Sequence, residues 1–515
     1  MKSFVAWFIS SAKLVDLFVI FTGGSKLFTF HYSLFTFFSY LCTQTTIITL
    51  KMKKKVLILA VITIAFAANV RAGGLMTNTN YHIAFDRMMA RGATFDIDAA
   101  YSNPAGLAWG HEGWQLSLNF QKPWQYRDIK LGDTKYEGKA SAPIVPALFA
   151  SYKKDKWAIS SMIGIVGSGG FVEYKQGVPM FNVLLGSTIT SLTQSLNQAT
   201  QGFAPVVTPD QFDSEMKGKQ YIYGGQLNFT YKILDCLSAA AGVRANYYDG
   251  YYRGHVNANH STMGNLASLS LDVDQKGWGF TPLVSLAFHQ GPFTLTARYE
   301  FRTKISTKNE TNSLAASLNS DQLVVAPLTQ LVVAGALPAE QAAAMAAQIK
   351  STVEGGLSTY TAPYEDGART RYDMPALLSV AAGYEFTPKL RATLEYHFFD
   401  DKNAKMANDR QEELTHGTHE ILAGIEYDIN DKFTVSCGGQ RTDYGLSDGY
   451  QQNTSFACDS YSVGLGGAWN ITEKVRLNAG YFMSIYSDYD KQTSYGVETY
   501  SRTNYVVGLG VDYKF

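Results

Sequence analysis

The last eleven residues, YVVGLGVDYKF (505–515), decide the fold class because their side chains alternate strictly in character. The apolar phase holds Tyr505, Val507, Leu509, Val511, Tyr513 and Phe515. The opposite phase holds Gly508, Gly510, Asp512 and Lys514. A period of two residues is typical of a β-strand with one apolar and one polar side. The chain therefore ends in a strand whose two faces meet different surroundings.

The same alternation recurs along most of the chain. It is clear in KVRLNAGYFMSIYS (474–487), PKLRATLEYHF (388–398) and PFTLTARYEFR (292–302). We count fourteen such segments, an even number that returns both chain ends to one side of a closed barrel. The predicted segments are 113–121, 144–153, 156–167, 219–233, 236–253, 277–289, 292–306, 369–386, 388–402, 417–429, 432–446, 459–471, 474–487 and 502–515.

The strands of a soluble β-sandwich also alternate between apolar and polar residues. Three further features indicate that the apolar face of these strands meets lipid. The segments approach the length of a tilted membrane strand, about 9 to 11 residues. Tyr and Phe gather near their ends, and short turns such as HQGP and INDK alternate with long loops. The sequence thus predicts an all-β fold, a 14-stranded antiparallel transmembrane β-barrel with an N-terminal luminal hatch and helical segments in long extracellular loops. The terminal Phe515 is typical of barrels that the barrel assembly machinery recognises during biogenesis.

The N-terminal region contains a targeting signal. MKKKVLILAVITIAFAANVRA (52–72) combines three lysines, an apolar run of thirteen residues and small residues before a cleavage site, which predicts a secretory signal peptide. The run is too short to span a bilayer, which takes about 20 apolar residues. Residues 1–51 are interpreted as an upstream extension that results from a misplaced start codon. The mature chain then divides into a hatch, or plug, at 73–112 and a transmembrane barrel at 113–515, in the outer membrane of a Gram-negative bacterium.

The composition argues against several classes of function. The 44 basic and 44 acidic residues balance, and no basic run follows the signal, so nucleic acid is not an expected partner. We find no nucleophile motif, no metal-ligand spacing and no nucleotide-binding glycine loop. We therefore predict no enzyme activity, no metal and no cofactor. The expected state is a monomer surrounded by outer-membrane lipid.

The stretch GATFDIDAAYSNPAGLA (92–108) suits a chain that reverses direction in a confined space, because Asn-Pro favours a turn. It resembles the signature of the FadL family of outer-membrane transporters for hydrophobic compounds. The residues that carry the hatch motif are Asp98, Asn103, Pro104, Ala105 and Gly106. The resemblance implies a fourteen-stranded barrel plugged by an N-terminal hatch that contains this motif.

A second resemblance lies in IGIVGSGGFVEY (163–174), where the family has an inward kink in its third strand that opens a lateral gap in the wall. The residues that would form the kink are Gly164, Gly167, Gly169 and Gly170. Glycine inside a strand often marks a bulge. The alternative is ordinary curvature at the extracellular rim.

Two sets of residues are candidates for substrate binding. One helical face in the loop MFNVLLGSTITSLTQSL (180–196) presents Phe181, Leu184, Leu185, Ile189 and Leu192, and a second loop predicts two helices broken at 335–338. Similar family members use such helices as an apolar landing site, although the helices could instead pack together as a lid. On the polar phase of the strands, Arg244, Arg298, Arg391 and Arg476 could hold a fatty-acid carboxylate or pair with luminal glutamates.

These features favour passive outer-membrane transport of hydrophobic molecules such as long-chain fatty acids, through a hatch-plugged barrel with lateral exit. The alternative is a FadL-like barrel that acts as a component of a protein-secretion or surface-display machinery. A third class, an outer-membrane hydrolase, would be exposed by lipid turnover.

Overall fold

The computed structural model describes residues 75–142 and 144–515. The predicted extension (1–51) and signal peptide (52–72) lie outside the described residues, as do the first two residues assigned to the hatch. The described chain forms one antiparallel sheet of nineteen strands, in which the first strand also pairs with the last. The strands are β1 Gly113–Leu131, β2 Thr134–Tyr136, β3 Gly138–Ser141, β4 Val145–Lys154, β5 Trp157–Tyr174, β6 Gln211–Leu234, β7 Leu237–His260, β8 Gly264–Gln290, β9 Phe293–Glu300, β10 Ser306–Leu318, β11 Arg369–Arg371, β12 Leu377–Thr387, β13 Leu390–Phe399, β14 Thr418–Asp428, β15 Phe433–Asp443, β16 Ser460–Asn470, β17 Val475–Tyr486, β18 Tyr489–Thr493 and β19 Gly496–Lys514.

These nineteen strands make fourteen crossings of the wall. Strands β9 and β10 together form one crossing, β11 and β12 form the next, and the short strands β2, β3 and β18 extend hairpins at the extracellular rim. The barrel closes where β1 pairs with β19, from Gln115 opposite Lys514 to Leu131 opposite Glu498. Closure pairs the first strand with the last, so neither end of the sheet is left as a free edge in lipid. The predicted 14-stranded antiparallel barrel is confirmed.

The outer surface of the barrel has the composition expected of a lipid contact. On the last strand Val507, Leu509 and Phe515 point outward, and Leu509 is 63% exposed. The same phase of β1 exposes Leu118 and Phe120. Aromatic rings gather toward the strand ends, as in the stacked pair of Phe433 and Trp469. Apolar exposure on this scale is stable only in hydrocarbon, which is the solvent that the alternation predicts.

Three strands are much longer than the sequence predicts. Strands β6, β7 and β8 hold 24, 24 and 27 residues and remain paired far beyond the bilayer. At their outer ends the outward-facing residues are polar, as Asp213, Glu215 and Lys217 are on β6, so the apolar signal of the outer face stops where the lipid stops. The hydrogen-bonded ladder nevertheless continues into the extracellular space.

The helices are of two kinds. Helices α1 (Ile83–Met88) and α2 (Ala99–Ser102) and a 3₁₀ helix (Pro104–Trp109) precede the barrel. Helices α3 (Pro179–Ala199), α4 (Ala326–Val333) and α5 (Ala339–Thr361) lie in the two longest loops. Helix α4 ends and α5 begins on either side of the predicted break at 335–338. Among residues 75–142 and 144–515, no helix is long and apolar enough to cross a membrane.

Candidate functional site

The hatch motif forms a turn that hydrogen bonds of the Asn103 side chain hold in place. Asn103 Oδ1 accepts a hydrogen bond from the Gly106 amide at 3.1 Å, and Asn103 Nδ2 donates to the Thr94 carbonyl at 3.3 Å. A Cβ at Gly106 would collide with the Asn103 side chain and would lie 2.7 Å from the Thr94 oxygen. The motif therefore acts through turn geometry, with Pro104 opening the 3₁₀ helix.

Polar side chains of the barrel wall satisfy the carbonyls of this turn from the other side. Asn228 donates to the Ala100 oxygen at 2.8 Å, Thr230 to the Pro104 oxygen at 2.8 Å, and Ser238 to the Ala105 oxygen at 2.6 Å. Buried backbone groups need such partners, because an unpaired one destabilises the fold. Within the turn, the motif residue Asp98 accepts two hydrogen bonds from Arg91, at 2.7 and 3.0 Å.

Helix α1 lies against a part of the wall whose inward residues are glycines. A Cβ at Gly424 or Gly438 would clash with the Met88 carbonyl oxygen, and one at Gly464 would clash with that of Asp86. Asp86 is fully buried, and burial raises the pKa of its carboxyl well above the usual range. The helix thus contacts the backbone of the sheet directly, on the side of the lumen away from β4 and β5.

The wall itself is interrupted beside β5. Strand β4 pairs with β5 only as far as Ile163, and β3 resumes the pairing only at Val172. On the other side β5 remains paired with β6, through two irregular register steps at 165–167 and 168–170. Among the described residues, the pairing of β5 with β4 ends at Ile163 and its pairing with β3 begins at Val172.

All four glycines predicted to form a kink lie in or beside this interruption. Gly170 adopts a φ of 78°, a conformation that favours glycine. A Cβ at Gly167 would clash with the Met76 carbonyl oxygen, so the N-terminal segment contacts the strand backbone at that point. Gly169 lies in the second irregular step, and Gly164 has only ordinary contacts, with a Cβ 3.5 Å from that of Ala147. The four glycines thus lie where the pairing of β5 with its neighbours on the β3–β4 side is interrupted.

A cavity of about 230 Å³ lies in the lumen above the hatch. Its floor is formed by Phe85 and Met89, and Tyr444 and Phe456 contribute from the long loops. Residues on both sides of the interrupted wall also line it, and these are Val145, Pro146 and Ala147 before the interruption and Ile165, Gly170 and Phe171 along β5. The cavity therefore extends to the gap in the wall.

The charged residues that line the cavity are all basic. Arg127 and Arg502 stand directly opposite each other on β1 and β19, and Arg410 and Lys219 complete the set. Lys219 is paired with Asp249 at 2.7 Å. Among the described residues, no Asp or Glu lines the cavity, and neither Arg127, Arg410 nor Arg502 forms an ion pair. Two like charges directly opposite on a sheet repel each other, so this pair favours a bound anion.

The environment of these arginines is aromatic and carbonyl-rich. Arg127 donates to the Phe456 oxygen at 2.5 Å and lies 4.9 Å from its ring. Arg502 lies 4.7 Å from the ring of Tyr486. The sequence does not single out Arg127 or Arg502, although the alternation of β1 and β19 places both on the inward face of the barrel. Only barrel closure shows that they face each other.

The four arginines that the sequence nominates for substrate binding lie elsewhere. Arg244 and Arg298 both bind Glu300, at 2.5 and 3.0 Å, and Arg298 also donates to the Tyr101 carbonyl of the hatch. Arg391 binds Glu426 at 2.8 Å, and Arg476 lies on β17 opposite Asp512. None of the four lines the cavity. Arg244, Arg298 and Arg391 therefore pair with glutamates of the barrel wall.

The loop-helix candidates form a separate surface site. Leu184, Leu185, Ile189 and Leu192 of α3 face Ile349 of α5 across a groove of about 520 Å³. Phe181 packs against two hydrophobic clusters, one beneath the loop helices and one beside the luminal cavity. The predicted helical face is therefore partly used for packing and partly open along the groove.

Comparison with known proteins agrees with this architecture. A family model described as outer membrane protein beta-barrel domain matches residues 329–515. A FadL homologue from Pseudomonas aeruginosa superposes with a TM-score of 0.58 at 14% identity, over 86% of this chain and 100% of the other. The toluene transporter TodX from Pseudomonas putida gives 0.52 at 13% identity, over 86% and 100%. No curated protein matches the sequence. Residues 329–515 thus match an outer-membrane β-barrel model, and the chain has the same fold as the FadL homologue, as its hatch motif predicts.

Proposed function

We propose that this protein is a passive channel for hydrophobic molecules, which pass from the cell surface into the cavity and leave sideways through the gap in the wall. The observation that carries the proposal is the continuity of the two features, because Ala147 and Phe171 line the cavity from opposite edges of the gap. Residues 73–112 act as the hatch that closes the direct route to the periplasm, and 113–515 form the barrel. A monomer, inserted by the barrel assembly machinery, is sufficient for this path.

The groove between α3 and α5 is the proposed first contact for a substrate. Its walls combine leucine and isoleucine side chains with serine and threonine, and Phe181 connects its helix to the cluster beside the cavity. Transfer from the cavity into hydrocarbon is favourable by about 25 cal/mol for each Å² of apolar surface that leaves water. No energy source is needed for net movement down a concentration gradient.

Within this class, we propose a long-chain fatty acid as substrate. Its carboxylate would bind Arg127 and Arg502, and its chain would lie along Phe85, Met89 and Ile165 toward the gap. The paired guanidinium groups carry this assignment, because an anion relieves their repulsion and charge-assisted hydrogen bonds to a carboxylate are strong. A neutral hydrocarbon would leave the repulsion in place.

Uptake of labelled oleate in a deletion strain tests the proposal. Val at Gly170 cannot keep a φ of 78° without strain, so Gly170→Val should reshape the gap and abolish uptake. Gly132→Val is the matched control, because Gly132 has a φ of 58° in an open turn outside the wall. Both variants should still give a heat-modifiable barrel. Normal oleate uptake in the deletion strain, together with loss of surface-displayed proteins, would reject the transport function and favour a role in protein secretion.

A further inference from the structure

Two buried polar atoms of opposite kind lie beside the luminal cavity without a partner. Within the described chain, the donor Arg127 Nε and the acceptor Asn504 Oδ1 form no hydrogen bond. Both residues line the cavity, and they are only 9% and 8% exposed. Buried polar groups in folded proteins are nearly always hydrogen-bonded, so two such atoms on one cavity indicate a ligand that can meet both.

The strands beside Asn504 supply polar neighbours but no partner for its oxygen. Gln125 lies directly opposite it on β1, and Ser484 lies opposite it on β17. Both neighbours also line the cavity. Ser484 shares a hydrogen bond of 2.7 Å with Ser462, and Asn504 Oδ1 bonds to neither neighbour. The acceptor is therefore available to a molecule in the cavity.

The acceptor also lies close to the proposed carboxylate site. Arg127 and Arg502 stand directly opposite each other, and Asn504 is two residues from Arg502 on the same inward face of β19. Diagonal neighbours of this kind on antiparallel strands lie about 7 to 8 Å apart. A hydrogen bond at each end takes up about 2.8 Å of such a span. The ligand group that meets Asn504 therefore lies within about three carbons of the carboxylate.

The cavity becomes apolar directly beyond Asn504. The next inward residue of β19, Val506, is buried in one cluster with Phe85, Met89 and Phe482. A polar group placed further along the ligand would face these side chains and lose its hydrogen bonds to water. The arrangement thus favours a ligand with one polar group beside its carboxylate and an apolar remainder.

We propose that the preferred substrate is a fatty acid with a hydroxyl group on its third carbon, an inference that rests on the proposed transport of fatty acids. The carboxylate accepts from Arg127 and Arg502, and the hydroxyl donates to Asn504 Oδ1. A hydroxyl both donates and accepts, and so does an amide, so the two groups match in either direction. A plain fatty acid satisfies the arginines and leaves the amide oxygen without this partner. Asn504 is then a specificity-determining residue of the cavity.

Calorimetry with the purified barrel tests the proposal by comparing tetradecanoate, 3-hydroxytetradecanoate and 14-hydroxytetradecanoate. The 3-hydroxy acid should bind about threefold to tenfold more tightly than tetradecanoate, which is the range for one hydrogen bond. The 14-hydroxy acid has the same composition but carries its hydroxyl at the far end of the chain, so it should bind more weakly than the 3-hydroxy acid. Equal affinities for tetradecanoate and the 3-hydroxy acid would overturn the proposal and leave fatty-acid transport standing.

A pair of variants assigns the preference to one side chain. Asn504→Leu keeps the size of the side chain and removes the acceptor, so the 3-hydroxy acid should lose its advantage over tetradecanoate. Thr503→Val is the matched control, because Thr503 is the neighbouring residue of β19 and is exposed on its outward face. It should retain the full advantage of the parent protein. An undiminished advantage in a heat-modifiable Asn504→Leu barrel would overturn the role of Asn504.

The remaining outcomes separate this inference from the proposed function. If Asn504→Leu does not fold, the comparison of the three acids on the parent protein decides the matter alone. If none of the three acids binds, the proposal fails together with the carboxylate site. A clear preference for the 3-hydroxy acid without oleate uptake by cells would retain the hydroxyl contact and reject transport of plain fatty acids.

Discussion

The contact of α1 with the glycines of the wall gives a prediction that distinguishes a change in the hatch from a change in the barrel. In Gly438→Val, the added Cβ would clash with the Met88 carbonyl oxygen and would lie 2.5 Å from its carbon. Ordinary contacts start near 3.4 Å, so the clash with the carbonyl oxygen requires the helix to retreat by roughly 1.5 Å. Overpacking of this kind costs about 1 to 3 kcal/mol. The strand itself accepts Val, because β-branched residues suit a sheet.

The predicted result is a folded barrel with a loosened hatch. Ion conductance in planar bilayers should rise, while heat modifiability on gels should not change. Gly439→Val is the matched control, because the neighbouring Cβ has only one ordinary contact, 3.6 Å from the Ser462 oxygen. If Gly438→Val conducts like the parent protein, the contact of α1 with Gly438 does not help to close the lumen. If Gly439→Val raises the conductance as much as Gly438→Val does, the rise comes from a change in the strand, and the hatch argument fails.

Three further predictions follow from the cavity, the loops and the hatch. Replacing Arg127 and Arg502 by Met should weaken oleate binding about tenfold to a hundredfold while toluene binding is unchanged, and calorimetry that shows equal losses would contradict a carboxylate site. Burial raises the pKa of Asp401, in the loop after β13, to about 7. The folded state then holds its proton while the unfolded carboxyl has lost it, so stability falls as pH rises from about 4 to about 7. Asp401→Asn should therefore raise the melting temperature at pH 8 and leave it unchanged at pH 4, and equal shifts at both would refute the assignment. Replacing Asn103 and Pro104 by Ala should cost about 1 to 3 kcal/mol in the hatch turn and raise conductance, and failure of the barrel to assemble would contradict a separate hatch.

Alternation predicts the wall well because each crossing has apolar side chains on the face toward lipid and polar ones on the face toward the lumen. The sequence alone predicts that Val507 and Leu509 face outward, and it also predicts the neighbouring crossings of the wall. The extension of β6 to β8 cannot be predicted in this way, because beyond the lipid the outward face of each strand is polar. Local sequence signals only the part of a strand that meets hydrocarbon.

The binding cavity is less predictable because closure creates it. Arg127 and Arg502 are far apart in sequence and become neighbours only when β1 meets β19. Conversely, Arg244 and Arg298 have the expected phase, but their partner Glu300 comes from the same region of the wall. Phase predicts which side a residue faces and does not predict which charges surround it there.

The gap beside β5 shows the same limit. Its glycines are visible in the sequence, but the missing ladder depends on where β4 begins and β3 ends. The hydrogen bond from the Asn78 amide to the Val166 carbonyl depends in turn on that interruption. Such a residue becomes recognisable only once the backbone around it is known.

The lateral route is tested most directly by trapping a substrate during passage. A fatty acid that carries a diazirine at its methyl end is supplied to cells, activated by light, and its adducts are mapped by mass spectrometry. The account predicts adducts on both sides of the gap, in 145–149 of β4 and 163–172 of β5. Adducts confined to the hatch turn at 92–108, with none in β4 or β5, would show passage toward the periplasm and contradict exit through the wall.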